Sequence, residues 1–306
     1  MAAHDIGAAQ HFREHAHLLD GATGTELERR GVACALPLWT AHALLHAPES
    51  VRAVHRDYAA AGADAITANT FRTQRHALAH AGLGSRAAEL TALAVQLARE
   101  GAADSGAQRT LVLGSASPLE DCYAPERVPD DATLAREHEA HAQNLARAGV
   151  DAVLIETMNS AREAEAALRA AREAGCAALV SFVCGANARL LSGEPLAEAI
   201  ARVAPFAPLA AGVNCAPWSE LAACLPVLRS SGFAFAAYGN LGAPLANGSR
   251  SHELSPDAFA EQALRWLASG ASWVGGCCGT EPRHIAALAQ KLRNRRMREA
   301  GRSAAR

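Results

Sequence analysis

VDAVLIETMNSAREAEAALRAAREAGCAALVSFVCG, residues 150–185, sets two short apolar runs on either side of a stretch rich in Ala, Arg and Glu. The first run, VDAVLIETMN, is continuously apolar from Ala152 until Glu156. That is how a parallel strand buried on both faces reads. SAREAEAALRAAREAG (160–175) carries helical spacing and stops at a glycine, the usual helix terminator. AALVSFVCG then starts the next strand. The segment therefore predicts strand, helix, strand.

The same unit recurs outward in both directions. The joints share a phrase in which a glycine ends a helix and a small apolar strand follows: AAGADAI, ARAGVDAV, REAGCAAL and ASGASWV. Eight strands emerge, in AHLLDGATG, ADAITANTF, TLVLGSASP, VDAVLIETMN, AALVSFVCG, APLAAGVNC, FAFAAYGN and ASWVGGCCG. In SPDAFAEQALRWLASG (255–270), Ser255 caps the helix, Pro256 takes its first position and Gly270 closes it. Eight β-then-α units predict an α/β fold, a single-domain (β/α)8 TIM barrel. DGATGTE does not match the GxGxxG turn that an open doubly wound sheet would carry after its first strand.

With 306 residues, 50% hydrophobic and 20% charged, the chain can bury a large core. A net charge of −2 asks for no nucleic-acid or membrane partner. No apolar run is long enough to cross a bilayer. The N-terminus has His and acidic residues where a signal peptide carries an apolar core, so the chain is expected to be cytoplasmic. The eight cysteines then read as thiols or ligands rather than a disulfide frame. Expected boundaries are a mobile lead-in over 1–16, the barrel over 17–297 and a basic solvated tail over 298–306. His4, His11, His15 and His17 are read as part of the polar lead-in. His138 and His141, at i and i+3 on a helix, are expected to face solvent.

Polar residues collect where the strands finish: Asp20, Asn69, Ser115, Glu156, Cys215, Asn240, Cys277 and Cys278. In a barrel these ends share the catalytic rim. Only one strand separates the sixth from the eighth, so Cys215 is expected to approach Cys277 and Cys278. Gly275 and Gly276 are expected to turn the backbone so that the adjacent thiols point the same way. Cys215 alone would read as one more buried thiol. The three together read as a zinc site with one open position, the catalytic arrangement. Three thiolates make the ion a weak Lewis acid towards carbonyls and suit it to taking up a further thiol and removing its proton.

The chain resembles the homocysteine S-methyltransferases through LLDGATGTELERRG (18–31), ADAITANTF (63–71), VLIET (153–157), GVNC (212–215) and GGCCGTEPRHI (275–285). The resemblance covers roughly residues 17–290. It implies a zinc-dependent (β/α)8 barrel that methylates homocysteine to methionine, with Cys215, Cys277 and Cys278 as zinc ligands. It also implies that Asp20 and Glu156 hold the substrate amino group, and that the backbone at Gly21 and Thr23 receives the carboxylate. GSASP and YGNLG depart from the family's usual G-S-x-G-P and Y-P-N-x-G, both on the donor side.

A sulfonium donor, S-methylmethionine or S-adenosylmethionine, is expected. Aromatic faces at Tyr238 and Phe71 are candidates to cradle it, although simple packing is the favoured reading of each. Asn69 and Asn240 are expected to orient loops near the metal and substrate, and DCYAPERVPDD (121–131) reads as a lid or a long βα loop. Betaine-dependent members carry a C-terminal extension, and cobalamin-dependent members carry further folate and corrinoid modules. Here a helix and NRRMREAGRSAAR follow the eighth unit, so the S-methylmethionine type is the nearest match. The alternatives are a methyltransferase for another thiol or a selenol such as selenocysteine, and a zinc-bearing accessory barrel serving a corrinoid protein. A monomer or small homo-oligomer is expected.

Overall fold

The computed structural model describes residues 17–107, 109–242 and 254–304. The lead-in over 1–16, with His4, His11 and His15, lies outside the described residues. Eight parallel strands form one sheet: β1 His17–Leu18, β2 Ala65–Ala68, β3 Leu111–Ala116, β4 Ala152–Met158, β5 Ala178–Phe182, β6 Ala211–Pro217, β7 Phe235–Asn240 and β8 Trp273–Gly276. Each pairs with its sequence neighbour from β2 through to β8, and β8 pairs β1 at His17↔Trp273. A parallel bridge, Leu19↔Ala65, closes the ring between β1 and β2. The eightfold α/β barrel expected from the sequence is the observed fold.

The 150–185 unit shows why the chain folds this way. Ser160 accepts a hydrogen bond from the Glu163 amide and caps the helix Ala161–Glu173. A cap of this kind stabilises a helix by about 1 kcal/mol. Ala161, Ala164, Leu168 and Ala171 form the buried stripe, and their small size lets the helix lie close to the sheet. Gly175 follows in the left-handed conformation, with φ 77°, a position that suits glycine.

Side chains alternate along each strand between two apolar layers. Ile66, Val112, Val153, Ile155 and Val180 pack outward with the helices. Leu19, Ala65, Leu113, Leu154, Leu179, Tyr238 and Trp273 fill the barrel interior. Glu156 shares the parity of Leu154, and Ser115 that of Leu113. Alternation therefore points both polar groups inward at the rim.

Two expectations are corrected. His17 belongs to β1, where it is buried and stacked on Trp273 with ring centroids 4.2 Å apart. His138 and His141 are buried, not solvent-facing. On the helix Asp131–Ala148 they share a stripe with Leu134 and Leu145, at spacing 134, 138, 141, 145, which is the core face of a helix. His138 Nε2 lies 3.2 Å from Glu163 Oε1. Burial pushes the His141 pKa down to about 4, and its Nε2 sits 3.2 Å from the Ser115 carbonyl. The helix Pro282–Ala304 follows β8. Among the described residues, no helix is long and apolar enough to cross a membrane.

Candidate metal and thiol site at the barrel rim

Cys215 lies in β6 beyond Asn214, where the strand pairing with β7 shifts register. Its φ of 54° is unusual for a residue with a side chain, and such backbone strain collects at functional sites. Cys277 and Cys278 follow β8 directly. The turn that presents them is closed by Gly279 at φ 89° and by the Thr280 amide bonding the Cys277 carbonyl at 3.1 Å. Gly275 and Gly276 do not make this turn, contrary to the sequence reading, because both lie within β8. They are needed for close approach. A Cβ on Gly275 would come within 2.6 Å of the Leu19 side chain, and one on Gly276 within 2.3 Å of Thr280 Oγ1.

The three sulfurs lie within 4.8 Å of one another, with Cys215 Sγ 3.8 Å from Cys278 Sγ. Tetrahedral ligands on a zinc ion, at a Zn–S distance of about 2.3 Å, stand about 3.8 Å apart. The donor set and its spacing therefore fit one thiophilic ion. Crowding by Cys277 and Cys278, followed by burial, pushes the Cys215 thiol well above its ordinary pKa. Three sulfurs this close need a cation to ionise together.

The ligand segments are fastened to each other. Asn240 Nδ2 donates to the Cys215 carbonyl at 3.0 Å, and Asn240 Oδ1 accepts from the Cys278 amide at 3.0 Å. One side chain at the end of β7 thus spans both segments. Thr280 Oγ1 donates to the Cys277 carbonyl at 2.7 Å and accepts from the Ala22 amide at 3.1 Å, tying the cysteine turn to the β1 loop.

A second brace joins the cysteine to the carboxylate. Thr157, next to Glu156, also has a left-handed backbone, with φ 60°, at a register shift in β4. Asn214 Oδ1 accepts from the Thr157 amide at 3.0 Å and from Ser181 Oγ at 2.7 Å, while Asn214 Nδ2 donates to Thr157 Oγ1 at 2.9 Å. Fully buried, Asn214 therefore holds two strained neighbours in place. Asn214→Ala is expected to cost about 2 kcal/mol of stability through the polar groups it orphans. It is also expected to weaken metal affinity about tenfold, as loss of a supporting hydrogen bond does. Thermal melts and metal titration of the variant check both.

A cavity of about 320 Å3 opens beside the sulfurs, and Asp20, Gly21, Thr23, Asn69, Glu156 and Tyr238 line it. Asp20 accepts from the Thr67 amide at 2.7 Å and Thr67 Oγ1 at 3.1 Å. Burial pushes its pKa up to about 8 despite these bonds, with a smaller push from Glu156. Glu156 accepts from Ser115 Oγ at 2.6 Å and Tyr238 Oη at 3.4 Å. Burial outweighs both and pushes it up to about 7, and Cys278 adds to the rise. Two carboxyls held above their usual range by desolvation form a receptor for a cation, because an arriving ammonium restores the charge balance.

Not every candidate faces the cavity with a free group. Asn69 Nδ2 is committed to the Thr40 carbonyl at 2.9 Å. Tyr238 is packed into the barrel interior and turns its hydroxyl to Glu156. Phe71 reaches the cavity, with the Arg72 guanidinium 5.7 Å from its ring centroid.

Sequence reading did not single out Tyr123, Thr67, Trp39 or Arg72, all of which line the cavity. Tyr123 is the most consequential. Its hydroxyl lies 3.0 Å from Cys215 Sγ and donates to the Cys215 carbonyl at 3.1 Å. It comes from DCYAPERVPDD, so this stretch does reach over the site. For Thr67, the alternation of ADAITANTF was the available signal, since it shares the parity of inward-facing Ala65.

Fold and site together define a (β/α)8 barrel carrying a three-sulfur centre on its catalytic rim. The sequence profile of the homocysteine S-methyltransferases matches residues 17–292. The chain belongs to this family. It is 32% identical over 289 residues to a homocysteine S-methyltransferase of Escherichia coli (strain K12), covering 89% of this chain and 93% of the relative. It is 27% identical over 297 residues to homocysteine S-methyltransferase YbgG of Bacillus subtilis (strain 168), covering 90% and 94%. The crystal structure of the E. coli homocysteine methyltransferase MmuM in its metallated form superposes with a TM-score of 0.80 at 30% identity, covering 92% of this chain and 98% of that one.

Proposed function

We propose that the protein transfers a methyl group from a sulfonium donor, S-methylmethionine, to the sulfur of homocysteine, with Zn2+ held by Cys215, Cys277 and Cys278. The observation that carries this reading is the convergence of the three sulfurs beside a cavity bearing two carboxyls. A zinc ion held there would supply a thiophilic cation that lowers the pKa of an incoming thiol and keeps its sulfur available as a nucleophile.

This chain's residues do the rest. Asp20 and Glu156 receive the amino group, each fixed by the hydrogen bonds described above. The start of the helix Thr23–Arg29, with Gly21 and Thr23, lies where the carboxylate is received. Held through both groups on its α-carbon, homocysteine extends its thiol arm towards the cysteines, which line the same cavity. The donor's S–CH3 bond breaks as the new one forms on homocysteine. The positive charge on the donor sulfur is lost, and both products are methionine. The thiol proton would be released to solvent before transfer, so no side chain need act as base at that step. Positioning of the two partners supplies much of the rate. The cavity beside the sulfurs, about 320 Å3, is of the size that holds small-molecule ligands. The charge balance and the lack of a spanning helix among the described residues are consistent with small-molecule partners and a cytoplasmic site of action.

The test is methionine formation by zinc-loaded protein with each donor. Turnover with S-methylmethionine at least ~100-fold above S-adenosylmethionine in kcat/KM supports the reading. Zinc-loaded protein that turns over neither donor overturns it, as does activity only on selenols or only with a corrinoid protein.

A further inference from the structure

A second group of ligand atoms lies apart from the three cysteines. His76 and His80, one helical turn apart, sit in and just after the helix Arg75–Ala79 that follows β2. Glu120 meets them from the loop after β3. His76 Nε2 is 2.8 Å from Glu120 Oε1, and His80 Nε2 is 3.7 Å from the same oxygen. The three ligand atoms all fall within 4.8 Å of one another. The two imidazoles stand edge to face, with centroids 5.3 Å apart.

We propose that His76, His80 and Glu120 form a second site for a divalent transition metal of the Zn2+ class. Ligand atoms around a tetrahedral zinc with nitrogen and oxygen donors stand about 3.3 Å apart. The observed spacings bracket that value, so small side-chain rotations suffice to close the site. Two imidazoles and one carboxylate favour zinc, copper or nickel over magnesium or calcium. The side chains keep 23%, 49% and 18% of their exposure, which leaves room for water as a fourth ligand. Arg127 Nη2 lies 3.2 Å from Glu120 Oε2, the oxygen turned away from the His80 contact, and orients the carboxylate as outer-shell partners of metal ligands do. Glu120 has a fixed origin as well, because the Leu119 amide donates to buried Glu163 at 2.8 Å.

The position gives the site a consequence. Asp121, Cys122 and Tyr123 follow Glu120 directly, and all three line the rim cavity. A metal here ties the β2 helix to the loop that brings Tyr123 against Cys215.

The experiment is calorimetric titration of Zn2+ at pH 7.5 into metal-free protein, which measures the first equivalent, and then into protein already carrying one zinc equivalent, alongside hydrogen exchange of residues 119–127. The expected result is a second, weaker equivalent whose binding slows exchange in that loop. In His76→Ala/His80→Ala it weakens at least ~10-fold, and Glu120→Gln weakens it similarly, while the first equivalent and the melting temperature are kept. No second equivalent, or one undiminished in these variants, overturns the proposal. Neither outcome bears on the cysteine site, because the first equivalent is measured separately.

Discussion

Cys277→Ser is expected to leave the barrel folded, to abolish retention of the metal through dialysis, and to lower kcat/KM for methionine formation at least ~1,000-fold. A serine hydroxyl does not ionise near neutral pH and is a poor ligand for a thiophilic ion, so the site falls from three strong donors to two. The thiol's loss costs the fold little. Cys277 is only half-buried at the rim, and its backbone is held through the Gly239 carbonyl and Thr280 Oγ1, bonds that serine leaves in place. Metal analysis, circular dichroism and steady-state kinetics on the variant separate the site from the scaffold. A variant that retains the metal and most of its activity would show that the ion is held elsewhere.

Glu156→Gln is expected to act on binding rather than on the metal. Removing one member of a hydrogen-bonded charge pair costs 2–3 kcal/mol at the low end of such losses, or roughly 30- to 150-fold in the Kd for homocysteine measured without donor. Metal content stays at the wild-type level. The pH dependence gives a second readout. Burial, only partly offset by Ser115 and Tyr238, holds Glu156 at about 7 in the free protein. Below that pH the carboxyl is protonated, and an arriving ammonium must displace the proton. Affinity therefore falls as pH drops below about 7, by up to tenfold per unit for this group. The glutamine variant loses that component and keeps the one from Asp20, which moves below its wild-type position of about 8 because the push from the Glu156 charge is gone. Calorimetric titration between pH 5.5 and 8.5 on both proteins checks the sign.

The barrel could be read in the sequence because several βα units repeat one short-range pattern: an apolar strand, a helix, capped in three cases by Asp130, Ser160 and Ser255, and a closing glycine such as Gly149, Gly175 or Gly270. The convergence of Cys215 on Cys277 and Cys278 could be read once the strands were counted, since only β7 separates the ends of the sixth and eighth strands. What escaped depends on packing between segments. His138 and His141 looked exposed because histidine is polar, although their spacing with Leu134 and Leu145 marks the inner stripe. The roles of Gly275 and Gly276 depend on how closely β1 and the Thr280 side chain approach, and no local pattern records that distance. Tyr123 lies 92 residues from Cys215 in a loop of irregular composition, and only the folded chain reveals its contact. Asn214 adjoins a predicted ligand, yet its reach to Thr157 follows from a register shift that periodicity hides.

X-ray absorption at the zinc edge, with and without homocysteine, tests the central claim most directly. Three sulfur ligands and one lighter atom in the resting protein, becoming four sulfurs when homocysteine is added, is the predicted result. A first shell with fewer than three sulfurs, or one that homocysteine leaves unchanged, would contradict it.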